Sequence, residues 1–165
     1  MAQASYDLNI GEAVAGYRID RLIGRGGSAT VYEARKLLPT RPELDRPVAF
    51  KVMHEHDPSG VGKQRFDREA ALTQKLDHPN VVRLLDFGYT DREWPFIVFE
   101  LLRGVSLKAA IRQRGPFDVA STARFTLEIL AALAAAHDMG IIHRDIKPAN
   151  VFLHRNDQGE AVRVL

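Results

Sequence analysis

The stretch Ile141-Ile142-His143-Arg144-Asp145-Ile146-Lys147-Pro148-Ala149-Asn150-Val151-Phe152 decides how this 165-residue chain is read. An Asp, a Lys two positions later and an Asn five positions later fall in one short loop with apolar residues on both sides. Apolar flanks anchor such a loop at both ends while its polar groups converge. Asp is an acceptor for a hydroxyl proton, Lys a donor to charge building on a phosphoryl group, and Asn an amide oxygen suited to Mg²⁺. The ordinary alternative is a charged surface loop, which accounts poorly for three such groups at this spacing directly after a long apolar helix.

That helix is expected over residues 118–139, with Asp118 as N-cap and Gly140 as the C′ stop. Val119, Ala123, Leu127, Leu130 and Ala134 line one side and Phe125, Ile129, Ala132 and Ala136 another, so it belongs inside something larger. A shorter helix is expected over 107–114, just after Gly104. The first hundred residues differ in kind. Segments 17–23, 30–34, 48–52, 81–87 and 96–100 are short, rich in β-branched or aromatic residues and bounded by Gly, Pro or Asp, which predicts an antiparallel sheet of five strands. One exception, 62–76, repeats Phe66, Ala70, Thr73 and Leu76 at helical steps and stops at Asp77-His78-Pro79-Asn80. Residues 36–46 read as a connection of variable length.

Two further features of this half carry chemistry. In Ile23-Gly24-Arg25-Gly26-Gly27-Ser28-Ala29-Thr30-Val31-Tyr32 the glycines sit between two strands, where missing Cβ atoms let the backbone turn and bring N–H groups against phosphate oxygens. A strand on each side excludes the dinucleotide fingerprint and the P-loop, which need a helix after the glycines; an ordinary Gly-rich hairpin is the plain alternative. In Pro47-Val48-Ala49-Phe50-Lys51-Val52 a lysine is embedded in an apolar strand, which is rare unless its ammonium meets phosphate oxygens or a carboxylate. Glu69 on the following helix is the candidate carboxylate, against a local pairing with Arg65 one turn away.

Composition agrees with a globular chain. Apolar residues make up 45% and charged residues 27%, which excludes collagen-like and disordered classes. The absence of cysteine excludes disulfides, thiolate zinc sites and a Cys nucleophile. A net charge of +2 from 23 basic and 21 acidic residues carries little weight and does not call for a nucleic-acid partner. The longest uninterrupted apolar run, 129–136, is far short of the ~18–20 residues of a membrane span, and residues 1–10 have no signal-peptide pattern.

Together these residues resemble the protein kinase superfamily, specifically the bacterial serine/threonine kinases of eukaryotic type. The resemblance implies an α+β kinase-like fold: an extension at 1–16, then part of a kinase domain at 17–165. Within it lie a five-stranded antiparallel N-lobe with one helix (17–100), a hinge (101–104) and the beginning of a helical C-lobe (105–165). It also implies ATP and Mg²⁺ as ligands, Ser/Thr side chains of proteins as acceptors, and a cytoplasmic setting. Gly24, Gly26 and Val31 match G-x-G-x-x-G-x-V, with Ala29 in place of the third glycine, so Ile23, Gly24, Arg25, Gly26, Gly27, Ser28, Ala29 and Val31 line the phosphate loop. Lys51 matches the lysine that contacts the α- and β-phosphates, held by Glu69. Asp145 matches the catalytic base, Lys147 the serine/threonine-type lysine and Asn150 the Mg²⁺-binding asparagine. Phe99, Glu100 and Leu102 resemble the adenine hinge, Val31, Ala49 and Phe152 the walls around the ring, and Ser106 the ribose contact. The implied nucleotide site runs from the glycine loop to Phe152.

Asp86-Phe87-Gly88 is a false match to the metal-binding D-F-G, which in the family follows the catalytic loop. The chain's last residues, Val162-Arg163-Val164-Leu165, resemble the strand just before the true motif, so the chain is expected to be a fragment of a longer kinase. Two alternatives are a noncatalytic nucleotide-binding or interaction module, and a small-molecule phosphotransferase of kinase-like fold. The latter usually lacks this loop and this lysine.

Residues 1–165 purified alone are expected to show little or no kinase activity, because the D-F-G aspartate that neutralises phosphate charge is missing. They are also expected to self-associate through the apolar long helix. Size-exclusion chromatography and a Mg²⁺-ATP phosphorylation assay check both; a clean monomer with robust turnover would contradict them.

Overall fold

Val48, Phe50 and Val52 alternate with Ala49, Lys51 and Met53, and an extended chain sends successive side chains to opposite faces. Burying each of the three apolar side chains contributes about 1.5–3 kcal/mol, so this set must face a core and Lys51 must face away from it. The computed structural model describes residues 7–54, 60–156 and 159–165 and realises that alternation: Val48, Phe50 and Val52 are fully buried. They lie in the first of two units, which holds the chain up to Gln74 together with Leu84–Leu101. Its strands are β1 (Ala13–Val14), β2 (Tyr17–Arg25), β3 (Ala29–Lys36), β4 (Val48–Met53), β5 (Leu84–Tyr89) and β6 (Pro95–Glu100), with one helix, α1 (Gly60–Thr73). They form one antiparallel sheet in the order β1-β2-β3-β4-β6-β5.

The core on the inner face of this sheet is aromatic. Phe50 stacks on Phe96 with ring centres 4.6 Å apart, and Tyr17 packs on Phe50 at 5.4 Å. The Tyr17 hydroxyl donates to the Asp86 carboxylate at 2.6 Å, and the Lys36 ammonium donates to the same oxygen at 3.0 Å. Burial, then the Asp86 hydrogen bond, pushes the Tyr17 hydroxyl pKa far up, so it stays a donor. Asp86-Phe87-Gly88 is therefore a piece of β5 whose aspartate is engaged by the core of the first unit. On α1, Phe66 packs edge-on against Phe87 and Tyr89 at 6.3 and 5.5 Å.

Three sequence expectations change here. The sheet has a sixth strand, because Ala13 and Val14 pair with Arg18 and Tyr17, and Leu8 and Val14 are buried in the core. Order thus begins before residue 17, where the apolar pattern was too short to read. Helix α1 ends at Thr73, leaving Leu76 outside it. Residues 81–83 do not start β5: Val82 N–H donates to the Val164 carbonyl at 2.9 Å, and Val164 N–H donates to the Asn80 carbonyl at 2.8 Å. Their β-branched pattern is satisfied by a partner strand in the second unit, which comprises Lys75–Arg83 and Leu102–Leu165.

That second unit contains β7 (Gly104–Ser106), α2 (Leu107–Arg114), α3 (Val119–Asp138), β8 (Val151–Asn156) and β9 (Gly159–Val164), with the sheet order β7-β8-β9. Its core joins Ala110, Phe125, Ala132, Val151, Leu153, Val162 and Val164. Asp118 caps α3 as expected, its carboxylate accepting from Ser121 N–H at 2.8 Å and from the Ser121 hydroxyl at 2.7 Å. Gly140 follows the C-cap in the left-handed region at φ +73°. One of the two expected apolar sides of α3 is packed through Phe125, Ala132 and Ala136, whereas Leu127 and Leu130 on the other are exposed. Phe125, on the packed side, is buried against Phe117 with ring centres 5.2 Å apart. By length and composition alone α3 is apolar enough to cross a membrane, contrary to the run-length reading. Glu128 and His137 interrupt the run but are outweighed by the alanines in the average, and the helix packs on its unit through Phe125, Ala132 and Ala136, its only buried residues.

Gly104 is the tightest point of this unit. It sits at φ +137°, and a Cβ there would lie 2.0 Å from the Leu153 carbonyl oxygen, so β7 can pair with β8 only if residue 104 has no side chain. Gly104→Ala is expected to destabilise the chain by at least ~1–3 kcal/mol, read as a lower urea midpoint. Ser106→Ala, which removes the α2 cap that accepts from Ala109 N–H at 3.2 Å, should cost about 1 kcal/mol. A Gly104→Ala protein as stable as wild type would contradict this account.

Candidate active site

In the first unit the turn from β2 to β3 carries the glycines. Gly26 N–H donates to the Ala29 carbonyl at 2.8 Å and closes the turn, while the N–H groups of Gly27 and Ser28 donate to no described residue. Gly24, Gly26 and Gly27 are all outside the left-handed region, so the turn itself does not demand glycine, contrary to the sequence expectation. A Cβ at Gly24 or Gly27 would meet nothing within 4 Å, so the missing side chains leave open space over the loop where a ligand can approach the backbone. Ile23 is exposed at the end of β2, Arg25 pairs with Asp7, and Ala29, at the third glycine position, is buried and pairs with Met53.

Strand register places the next residues. Val31 pairs with Lys51 and Lys51 with Ile97; Glu33 pairs with Ala49 and Ala49 with Phe99. Directly paired residues share a face, so Val31, Ala49, Lys51, Ile97 and Phe99 line the side of the sheet opposite the core, and all are half-buried. Ile97 was not among the residues the sequence singles out, although its place two residues before Phe99 in an alternating strand signals it. Burial lowers the Lys51 pKa, as expected for an ammonium without an ion pair among the described residues. Glu33, the carboxylate on the same face, pairs with Arg21 at 2.5 Å.

The structure does not bring Glu69 to Lys51. Glu69 is exposed on α1 and accepts from Arg65 Nε at 3.0 Å, the local i,i+4 pairing that competes with the long-range one. Helix α1 docks through Phe66 and Ala70, which leaves Glu69 on its solvent side. Glu100 ends β6, its backbone paired with Val48, and Leu102 opens the second unit.

Within the second unit, Ser106 pairs with Phe152 across β7 and β8, so both lie on the face of the sheet away from Val151 and Leu153. The Ser106 hydroxyl is already the α2 N-cap. The loop between α3 and β8 is tied down by its backbone: the Pro148 carbonyl accepts from Lys108 N–H at 2.8 Å, and Leu165 N–H donates to the Asn150 carbonyl at 3.0 Å. His143 Nε2 lies 2.6 Å from the Leu165 carbonyl, and its Nδ1 accepts from Asp145 N–H at 3.3 Å. Arg144 takes the left-handed conformation at φ +64°, uncommon for a side chain of its size, and this aims Asp145 outward.

The three groups read from the sequence meet here. Lys147 Nζ donates to Asp145 Oδ2 at 2.6 Å, and Asn150 Nδ2 donates to both Asp145 Oδ2 and the Asp145 carbonyl at 2.9 Å. The Lys147 hydrogen bond, and after it that of Asn150, holds the Asp145 carboxyl below the usual carboxylate range, so it is an ionised acceptor at neutral pH. With its amide nitrogen committed, Asn150 keeps its amide oxygen for a ligand. Among the described residues no cluster of three His, Asp or Glu side chains forms a metal site.

Comparison with known proteins follows the same lines. Residues 17–165 match the protein kinase domain. The serine/threonine-protein kinase pkn3 of Myxococcus xanthus is 35% identical over 164 residues, covering 96% of this chain and 29% of that protein. Among solved structures, the PknI kinase domain of Mycobacterium tuberculosis superposes with a TM-score of 0.80 at 26% identity, covering 96% of this chain and 62% of that one. Rad53 residues 1–466, solved in complex with AMP-PNP, superposes with a TM-score of 0.73 at 30% identity over 90% of this chain and 37% of its own. The chain thus spans less than a third of the curated relative and about three fifths of the PknI domain. A match that runs from the start of β2 to the last residue is a match to both units, and on it this chain belongs to the protein kinase family.

Proposed function

We propose that this chain supplies the nucleotide-binding and phosphoryl-transfer machinery of a serine/threonine protein kinase that moves the γ-phosphate of ATP to a protein Ser or Thr hydroxyl in the cytoplasm, where ATP is held. The observation that carries the reading is the convergence of Lys147 and Asn150 on the Asp145 carboxylate. The serine/threonine-protein kinase relatives and the AMP-PNP complex of Rad53 support it.

In this reading the open backbone at Gly24–Gly27 cradles phosphates, and the Lys51 ammonium meets their oxygens, which gives its charge an anionic partner. On the first unit Val31, Ala49, Ile97 and Phe99 offer the apolar face for the base and Glu100 offers backbone groups for its edge; the family resemblance adds Leu102, Ser106 and Phe152 to the nucleotide-binding residues. Asp145 orients the acceptor hydroxyl and takes its proton as the oxygen attacks the γ-phosphorus and the bond to the β–γ bridging oxygen breaks. Lys147 donates to the oxygens on which charge develops. Mg²⁺ fits the oxygen donors at this loop; the Asn150 amide oxygen would hold it, and bound there it would neutralise phosphate charge. Glu69 serves Lys51 only after exchanging its Arg65 partner.

In the full natural protein containing this chain, Asp145→Asn should lower turnover on a generic Ser/Thr substrate by about 10²–10⁴-fold with ATP affinity little changed. Lys51→Met should weaken phosphorylation strongly while leaving thermal unfolding in place. Equal turnover in wild type and Asp145→Asn would overturn the reading. Nucleotide binding with no transfer in wild type would favour the noncatalytic module.

A further inference from the structure

The pairing of β3 with β4 ends at Ala29 opposite Met53, one residue short of the glycine turn. His54 carries it further at three points. Its backbone N–H donates to the Ser28 carbonyl at 2.8 Å, its Nδ1 lies 3.1 Å from the Gly27 carbonyl, and its Nε2 lies 2.7 Å from Thr30 Oγ1. A carbonyl only accepts, so Nδ1 carries the proton; the neutral ring then accepts the Thr30 hydroxyl proton at Nε2, and one tautomer satisfies both contacts. Thr30 is fully buried, and its hydroxyl finds in His54 the partner a buried hydroxyl needs. Without the imidazole, the segment from Gly26 to Ser28 would keep two backbone bonds, Gly26 to Ala29 and His54 to Ser28.

We propose that His54 is a positioning residue that holds the glycine turn in its phosphate-binding shape and couples it to β4, the strand of Lys51. It touches neither phosphate nor acceptor; it acts by fixing the Gly27 peptide, so that the free N–H groups of Gly27 and Ser28 keep their direction. The inference rests on the reading of this turn as the phosphate cradle. A helix or hairpin filler at position 54 would have no reason to engage Gly27, Ser28 and Thr30 at once.

The test uses the full natural protein containing this chain as wild type, His54→Ala, His54→Gln and Thr30→Val. Amide hydrogen exchange over residues 26–30 reads the turn without any ligand, and affinities for a fluorescent ATP analogue and for adenosine read its use. His54→Ala should speed exchange across 26–30 and weaken the ATP analogue roughly 3–10-fold, the scale of a lost hydrogen bond, with adenosine unchanged. The Gln side chain can donate to Gly27 and accept from Thr30, so His54→Gln should restore most of both. Thr30→Val should lie between. Unchanged exchange in His54→Ala, or equal losses for ATP and adenosine, would overturn the proposal. Should His54→Ala not fold, His54→Gln and Thr30→Val decide by the same readouts. A wild type that binds no ATP analogue would sink the phosphate reading itself, and the exchange data would then still decide whether His54 holds the turn.

Discussion

A lysine cannot share a face with Val48, Phe50 and Val52 without leaving its charge in hydrocarbon, and most of the first unit follows from that exclusion. The three apolar residues of β4 seat the Phe50, Phe96 and Tyr17 cluster on one side. Pleating then delivers Ala49 and Lys51 to the other, and strand pairing adds Val31, Ile97 and Phe99 beside them. The face that carries Lys51 is thus the complement of the core face. Lys51 bears the consequence as a half-buried ammonium with no ion pair among the described residues, and burial disfavours its charged form. An anionic ligand is the natural remedy for that state.

The second unit places its chemistry on backbone anchors instead of strand register. Pro148 is bonded to Lys108 of α2 and Asn150 and His143 to Leu165, the residue after β9, so the loop from α3 to β8 is held at several points while its side chains stay largely exposed. Exposure suits the proposed role, in which Asp145 reaches an acceptor hydroxyl; the hydrogen bonds from Lys147 and Asn150 hold its carboxyl below the usual carboxylate range without burying it. The left-handed Arg144 is the local strain such a loop tolerates because its ends are over-determined.

Glu69 shows where local and long-range electrostatics compete. Its i,i+4 partner Arg65 is reached without moving α1, whereas Lys51 requires a different presentation of the helix. An exposed pair of this kind contributes only about 0.3–0.5 kcal/mol, so the Arg65 contact is no serious obstacle to exchange. The determinant is how α1 is docked through Phe66 and Ala70, which is a matter of packing.

Much was legible in the amino-acid sequence because it is written in short-range terms. The period of two in β4 exposed Lys51, Asp118 and Gly140 bounded α3, and the spacing of Asp145, Lys147 and Asn150 announced one loop with one purpose. Other features depend on partners distant in the chain, which no local period encodes. Ala13–Val14 became a strand only because Tyr17 and Arg18 were there to pair with it, and Val81–Val82 joined Val164 in place of β5. Gly104 is required because the Leu153 carbonyl lies where a Cβ would go, the glycines of the β2–β3 turn leave open space over its backbone, and His54 reaches Thr30, 24 positions earlier. Sequence by itself determined which residues can do the chemistry and which faces they occupy, since alternation and capping are properties of the local chain. Tertiary structure alone decided which of them touch, since a hydrogen bond at 3 Å depends on how distant segments pack.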